Sequence, residues 1–335
     1  MFVDVIEKIR FMYTFEEILK LVDETLCKLV LPENPKGLYK PIEYILSLGG
    51  KRIRPSFLLM SANLYTDDLS AAIAPATAFE IFHNFTLLHD DLMDKADQRR
   101  GKLTVHKKWD DNTAILSGDV MLVVAYQQLS QIDAAHLSLI LPVFSKMAAE
   151  VCEGQQYDMA FEARENVSQA EYFEMIRLKT AVLLGASLKA GAILAGASDE
   201  DAKHLYDFGV HLGIAFQLMD DLLDVYGNPN TFGKIIGGDI LCNKKTFLLI
   251  NASNYLSLEI QNELKTWMNS TNSNPDEKIA AVTAIYNKIG VKKICEEYIQ
   301  IYYERALSSL ARVNVDEGRK RVLQEVAEAL MYRNK

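Results

Sequence analysis

Apolar residues recur at helical spacing along almost the whole of this chain, and alternating strand patterns bounded by turn residues are hard to find. An all-α fold is the expectation. Pro32, Pro35, Pro41 and Pro55 crowd the first 55 residues, whereas Pro75, Pro142, Pro229 and Pro275 mark single breaks, so long helices are expected between them. The spacing predicts helices near 4–30, 38–48, 53–65, 70–95, 111–130, 134–160, 168–196, 199–225, 244–267, 276–312 and 316–331. Segments 95–111, 227–239 and 269–277 read as loops, and two of them directly follow an aspartate cluster. No flexible linker or low-complexity tract divides the chain, which predicts one domain over residues 1–335.

The net charge of −9 lacks the electrostatic footprint of a nucleic-acid binder. Cys27, Cys152, Cys242 and Cys295 are far apart and show no C-x-x-C pairing, which argues against zinc or a disulfide framework and for a reducing cytoplasm. Asp4 and Glu7 interrupt the N-terminus where a signal peptide needs an apolar segment. The stretch 181–197 contains Lys189 and many small residues, so it reads as a buried helix and no membrane span is expected.

The chain writes "LLHDDLMDKADQRRG" at 87–101 and, in similar form, "QLMDDLLDVYG" at 217–227. On a helix, Asp90 and Asp94 lie one turn apart and repel by roughly a few tenths of a kcal/mol. A cation reverses the sign of that term. One D-x-x-D alone reads as a solvated acidic face. Here, however, Thr86, His83 and Phe79 continue the Asp90 face, and Asp220 and Asp224 share theirs with Gln217 and Gly213. Two D-D-x-x-D clusters of oxygen donors suit Mg²⁺, which prefers a few carboxylates plus substrate phosphates. A phosphorylated substrate is implied.

Cations for such an anion come in groups: Lys51, Arg52 and Arg54 in "GGKRIRP", then Arg99 and Arg100, then Lys234, Lys244 and Lys245. Gly49 and Gly50 free the backbone, and a helix starting near Ile53 adds its N-terminal preference for anions. Lys179 and Thr180, in "MIRLKTAVLLG", read either as a further phosphate contact or as a lysine snorkelling from a core helix.

In their order, "GGKRIRP", "LLHDDLMDKADQRRG", "GDVML", the "KT" at 179–180, "FQLMDDLLD" and "FGKIIGGDI" resemble the trans-isoprenyl diphosphate synthases from about residue 20 to 330. The resemblance implies the all-helical isoprenoid synthase fold around a deep central cavity, usually as a homodimer. It implies that Asp90, Asp94 and Asp220 hold Mg²⁺, with Asp91, Asp221 and Asp224 supporting the site directly or through water. Lys51, Arg54, His83 and Arg100 would bind isopentenyl diphosphate. Arg99, Lys179, Thr180, Gln217, Lys234 and Lys244 would bind the allylic diphosphate. The family usually has glycine and proline around the last motif, whereas this chain reads "CNKKTFLLI", which leaves Lys244 versus Lys245 open. It also has Asp110 where the family commonly has glycine.

The implied activity is a prenyltransferase reaction, a head-to-tail 1′-4 condensation. Three Mg²⁺ ions and the basic residues would stabilise the departing diphosphate. The allylic cation, kept dry in an apolar cavity, would then be attacked by the double bond of isopentenyl diphosphate. Phe85 sits where family members commonly limit product length, with Thr86 beside it and Phe82 a turn deeper. An ideal helical wheel places Thr86 closer to the Asp90 face, so core packing stays open for Phe85. With Phe85 present and no insertion in "DDLMD", the expected product is geranylgeranyl diphosphate, with farnesyl diphosphate or a longer polyprenyl diphosphate as alternatives. A terpene cyclase and a non-catalytic subunit of a heteromeric synthase are the distant readings. The first has no use for "GGKRIRP", and the second tends to carry a damaged aspartate motif.

Overall fold

The computed structural model describes residues 12–228, 236–270 and 274–332. In chain order its first helices are α1 (Phe15–Cys27), α2 (Lys36–Ser47), α3 (Ile53–Asn63) and α4 (Ser70–Met93). A short hairpin, β1 (Gln98–Arg99) and β2 (Lys102–Leu103), leads to α5 (Val105–Lys108), α6 (Asp111–Leu129) and α7 (Ala134–Glu162). Next come α8 (Gln169–Ile176), a π turn (Arg177–Ala181), α9 (Val182–Leu194) and α10 (Asp199–Tyr226). The chain finishes with α11 (Gly238–Leu241), α12 (Phe247–Ser253), α13 (Leu258–Asn269), α14 (Pro275–Ile289), α15 (Val291–Ala311) and α16 (Glu317–Tyr332). The all-α expectation holds.

Contacts divide the chain into two compact units. One comprises Met1–Ser145, Ala186–Tyr206 and Val313–Gln324, and the other Lys146–Gly185, Asp207–Arg312 and Glu325–Lys335. In the first unit, α1 opens with a capping box in which the Thr14 side chain accepts from the Glu17 N–H and the Glu17 carboxylate accepts from the Thr14 N–H. Helix α4 is apolar on most faces because most faces are buried. Its Phe79 and Phe82 meet Phe144 edge-on at 5.2 and 5.4 Å. In the second unit, half-buried Phe173 meets the buried Phe247 edge-on and lies against Tyr298 and Tyr302.

Several boundaries differ from the sequence reading. The helix expected over 276–312 is broken at Gly290, whose φ of 73° ends α14 while its N–H donates back to Asn287 and Tyr286. The helix expected over 244–267 is two, because the chain turns out of helix after Ser253 and restarts at Leu258. The 168–196 run is continuous but carries the π turn. Within the expected loop 95–111, Arg100 and Gly101 both take positive φ, 53° and 71°, as a two-residue hairpin turn requires. Asp110 has a local role, since its side chain caps α6 by accepting from the Thr113 N–H at 2.8 Å.

One described helix, α7, is long and apolar enough to meet the criteria for a membrane span. By length and composition it could cross a bilayer, since only Lys146 and Glu150 interrupt residues 135–152. Just 22% of its apolar window is buried.

Candidate active site

In the first unit the loop before α3 uses unusual backbone: Gly49, Gly50 and Arg52 have φ of 76°, 144° and 48°. Gly50 is there for closeness as well as conformation. A Cβ on it would stand 2.7 to 2.9 Å from the guanidinium of Arg100, which donates to the Gly49 carbonyl. Arg52, grouped with the phosphate-binding cations by sequence, instead turns inward. It donates to Glu80 Oε1 at 2.6 Å, Leu46 O at 2.9 Å and Asp23 Oδ1 at 3.2 Å, so it braces the loop and is spoken for. Burial, followed by the nearby Arg54, Arg100, Arg99 and Arg52, holds the His83 imidazole well below its ordinary range. His83 is therefore a neutral donor and acceptor among guanidiniums. Lys51 is exposed beside this group.

The first aspartate cluster ends α4. Asp91 is buried and accepts from Arg99 Nε and Nη2, both at 2.7 Å, a bidentate pair. Asp90 is half-buried, with Arg99 Nη2 3.9 Å away, and Asp94 is the exposed C-cap one turn on. The three aspartates thus divide, one locked to an arginine and two spaced along the helix end. Burial pushes the Asp91 carboxyl up, against the downward pull of Arg99. Below them, Phe85 is buried, its ring 5.6 Å from Phe82 and 4.8 Å from His89. Thr86 is half-buried and its hydroxyl donates back to the His83 carbonyl at 2.8 Å. The aromatic contacts run through Phe85 and not through Thr86.

In the second unit, Lys179 and Thr180 sit on the π turn, a feature frequent at functional sites. Two glycines admit that turn: a Cβ on Gly154 would lie 2.2 Å from the Lys179 N, and one on Gly213 would lie 2.6 Å from the Ala181 Cα. Lys179 Nζ donates to Asp158 Oδ2 at 2.6 Å, and Lys244 Nζ lies 4.0 Å from the same oxygen. Burial works the other way, yet Lys244 and Lys179 hold the Asp158 carboxyl below its usual range. Lys245 points elsewhere, into a cleft of 590 Å³ that it lines with Asn243, Glu162, Arg164 and Leu264. Of the two lysines left open by sequence, Lys244 is the one that joins Lys179.

The second aspartate cluster lies near the end of α10. Asp220 is half-buried, while Asp221 and Asp224 are buried. Asp221 Oδ2 accepts from the Tyr172 hydroxyl and, at 3.0 Å, from the Phe247 N–H, and its Oδ1 accepts from Gln217 Nε2 at 3.2 Å. Thr180 Oγ1 donates to Gln217 Oε1 at 3.2 Å, which links the π turn to the cluster. Burial and then Asp239 push the Asp221 carboxyl up to about 7, against those three donors. Asp224 Oδ2 accepts from the Asp239 N–H at 3.1 Å. Lys234 lies outside the described residues.

Asp158, Tyr172 and Asp239 were not singled out by sequence. For Asp158 a signal existed: a half-buried lysine at 179 requires a counter-charge, and "EGQQYD" supplies one. Among the described residues no three His, Cys, Asp or Glu side chains gather tightly enough to hold a metal by themselves.

Residues 35–286 match the polyprenyl synthetase family. The geranylgeranyl pyrophosphate synthase of Geoglobus acetivorans is 38% identical over 94% of this chain and 97% of its own. The geranylgeranyl diphosphate synthase of Methanosarcina mazei is 42% identical over 69% of this chain and 72% of its own. A crystal structure of a geranylgeranyl pyrophosphate synthase superposes with a TM-score of 0.92 at 45% identity, covering 97% of this chain and 100% of that one. The fold is that of the isoprenoid synthases, and the chain belongs to the polyprenyl synthetase family of prenyltransferases.

Proposed function

We propose that this chain, acting as a single synthase domain, condenses isopentenyl diphosphate with an allylic diphosphate to give geranylgeranyl diphosphate. The observation that carries the reading is that each unit has its own cationic group beside its own aspartate cluster: Arg54, His83 and Arg100 in one, Lys179 and Lys244 in the other. Joining two diphosphates needs two such groups, whereas a cyclase needs one. The names of the relatives from Geoglobus and Methanosarcina favour the C20 product, as does the buried Phe85.

The oxygen donors fit Mg²⁺, which takes one or two carboxylates and completes its shell with phosphate and water. Asp90, Asp94 and Asp220 are the ligands in this reading, for three ions. Asp91, Asp221 and Asp224 accept hydrogen bonds from the protein and support the site. Bound Mg²⁺ supplies neutralisation of charge on the leaving diphosphate. Lys51, Arg54, neutral His83 and Arg100 bind isopentenyl diphosphate. Arg99, Lys179, Thr180, Gln217 and Lys244 hold the allylic diphosphate and favour its departure as charge builds there. Phe82 and Phe85 give the allylic cation a wall without nucleophiles. No side chain needs to attack.

The protein acts as a cytoplasmic homodimer in this reading. What supports the dimer is an apolar face in the first unit, where Ile115, Leu116 and Val123 of α6 and Leu139 and Leu141 of α7 are exposed. Such a face marks an interface, and a second copy accounts for it as well as for the outward apolar side of α7.

The test is purified protein with Mg²⁺, labelled isopentenyl diphosphate and allylic primers of five, ten and fifteen carbons. Elongation ending at twenty carbons is expected. No elongation of any primer would sink the proposal.

A further inference from the structure

We infer that Tyr172 is a positioning residue for the allylic diphosphate, acting through Asp221, which serves as a hydrogen-bond hub and not as a metal ligand. This rests on the functional reading above.

Asp221 is 5% exposed and is reached from three elements. Tyr172 belongs to α8 and donates its hydroxyl to Oδ2. Phe247, the first residue of α12, donates its N–H to the same oxygen at 3.0 Å. Gln217, one turn earlier on α10, donates to Oδ1 at 3.2 Å. Each of these elements continues directly into a residue assigned to the allylic diphosphate. Helix α8 runs into the π turn with Lys179 and Thr180, and α12 begins just after Lys244. Gln217 itself accepts from Thr180. One carboxylate thereby sets the spacing at which Lys179 and Lys244 converge on Asp158 Oδ2, at 2.6 and 4.0 Å.

Asp221 Oδ2 has both lone pairs taken by the Tyr172 hydroxyl and the Phe247 N–H, and Oδ1 accepts from Gln217 in a buried setting, so a metal could not use Oδ2 without leaving one of its two donors unpaired. Asparagine would preserve most of the hub. Its carbonyl replaces Oδ2 as acceptor, and its amide donates to a flipped Gln217 where Oδ1 accepted before. Alanine preserves none of it. The Tyr172 ring packs on Phe173 and Phe247 at 5.9 and 6.2 Å, contacts that phenylalanine keeps.

Steady-state kinetics of Tyr172→Phe, with folding checked by circular dichroism, tests this. KM for the allylic diphosphate should rise about tenfold. KM for isopentenyl diphosphate and the half-saturating Mg²⁺ concentration should stay within about twofold of the unsubstituted enzyme. Three parameters all unchanged, or a Mg²⁺ requirement rising by the same factor as the allylic KM, would overturn the assignment. A second pair keeps the test open where Tyr172→Phe fails to fold. Asp221→Asn should keep roughly a tenth of kcat while Asp221→Ala falls about a hundredfold, and equal losses in the two would refute a hub. An unsubstituted enzyme that elongates no primer defeats the functional reading and this assignment together. An active enzyme indifferent to Tyr172→Phe defeats this assignment alone.

Discussion

Replacing Gly154 with alanine should damage allylic binding by a distance that the structure fixes. The added Cβ would stand 2.2 Å from the Lys179 N, 2.6 Å from its Cα and 2.7 Å from the Leu178 carbonyl carbon, where ordinary contacts are 3.4 to 4 Å. All three atoms are backbone, so no side chain can swing aside. The π turn and α7 must part by roughly 1 Å, and overpacking of this kind costs about 3 kcal/mol at the upper end of its usual range. For a chain of this length that is a fall in melting temperature of about 4 °C. A displacement of about 1 Å at a substrate-positioning group costs on the order of a hundredfold in rate. The two effects are read separately, by a thermal melt and by kcat/KM for the allylic primer. A melting temperature within about 1 °C and a kcat/KM within about twofold of the unsubstituted enzyme would refute the claim that Gly154 seats the Lys179 turn.

Phe85→Ala should lengthen the product and, because Phe85 is buried, lower stability by about 3 kcal/mol. Chromatography of dephosphorylated products decides, and an unchanged chain length with lowered stability would leave Phe85 as core packing only. His83 gives a pH signature. Its folded pKa lies well below 6.5, so below about pH 6.5 the unfolded chain binds a proton that the folded one does not. Stability is complete above that pH and is lost as pH falls towards the depressed value. Urea midpoints between pH 5 and 7 should slope less in His83→Asn, and equal slopes would contradict the neutral His83. Leu116→Asp, at a position 57% exposed, should convert dimer to monomer in sedimentation without lowering the monomer's helicity. An unchanged sedimentation coefficient would move the interface elsewhere.

What sequence conveys here follows from range. The helical class, the D-D-x-x-D clusters and the "GGKRIRP" cations depend on spacing within a few turns, and they could be read directly. The break at Gly290 depends on one residue's left-handed backbone inside an otherwise periodic run, and periodicity overrode it. The hairpin at 98–103 was missed because its strands have only two residues each, too few for an alternating pattern. Arg52 shows the limit most clearly. Its neighbours in sequence suggest an anion, but Glu80, 28 residues away, claims it. The pairing of Tyr172 with Asp221 spans 49 residues and has no local signal at all.

The π turn at Arg177–Ala181 has a consequence for tolerated changes of length. A π turn is an α-helix holding one residue too many, and each helical residue rotates the chain by about 100°. Deleting any single residue there would yield a more regular helix and a better intrinsic hydrogen-bond ladder. The flanking helices, Tyr172 included, would keep nearly the same phase, because the wide turn already absorbs the extra residue, but Lys179 and Thr180 would change face within it. Local stability would improve while the side chains that must act together face different ways. One-residue deletions in this stretch should therefore be harsher than most substitutions, even though they repair the only irregularity in the helix.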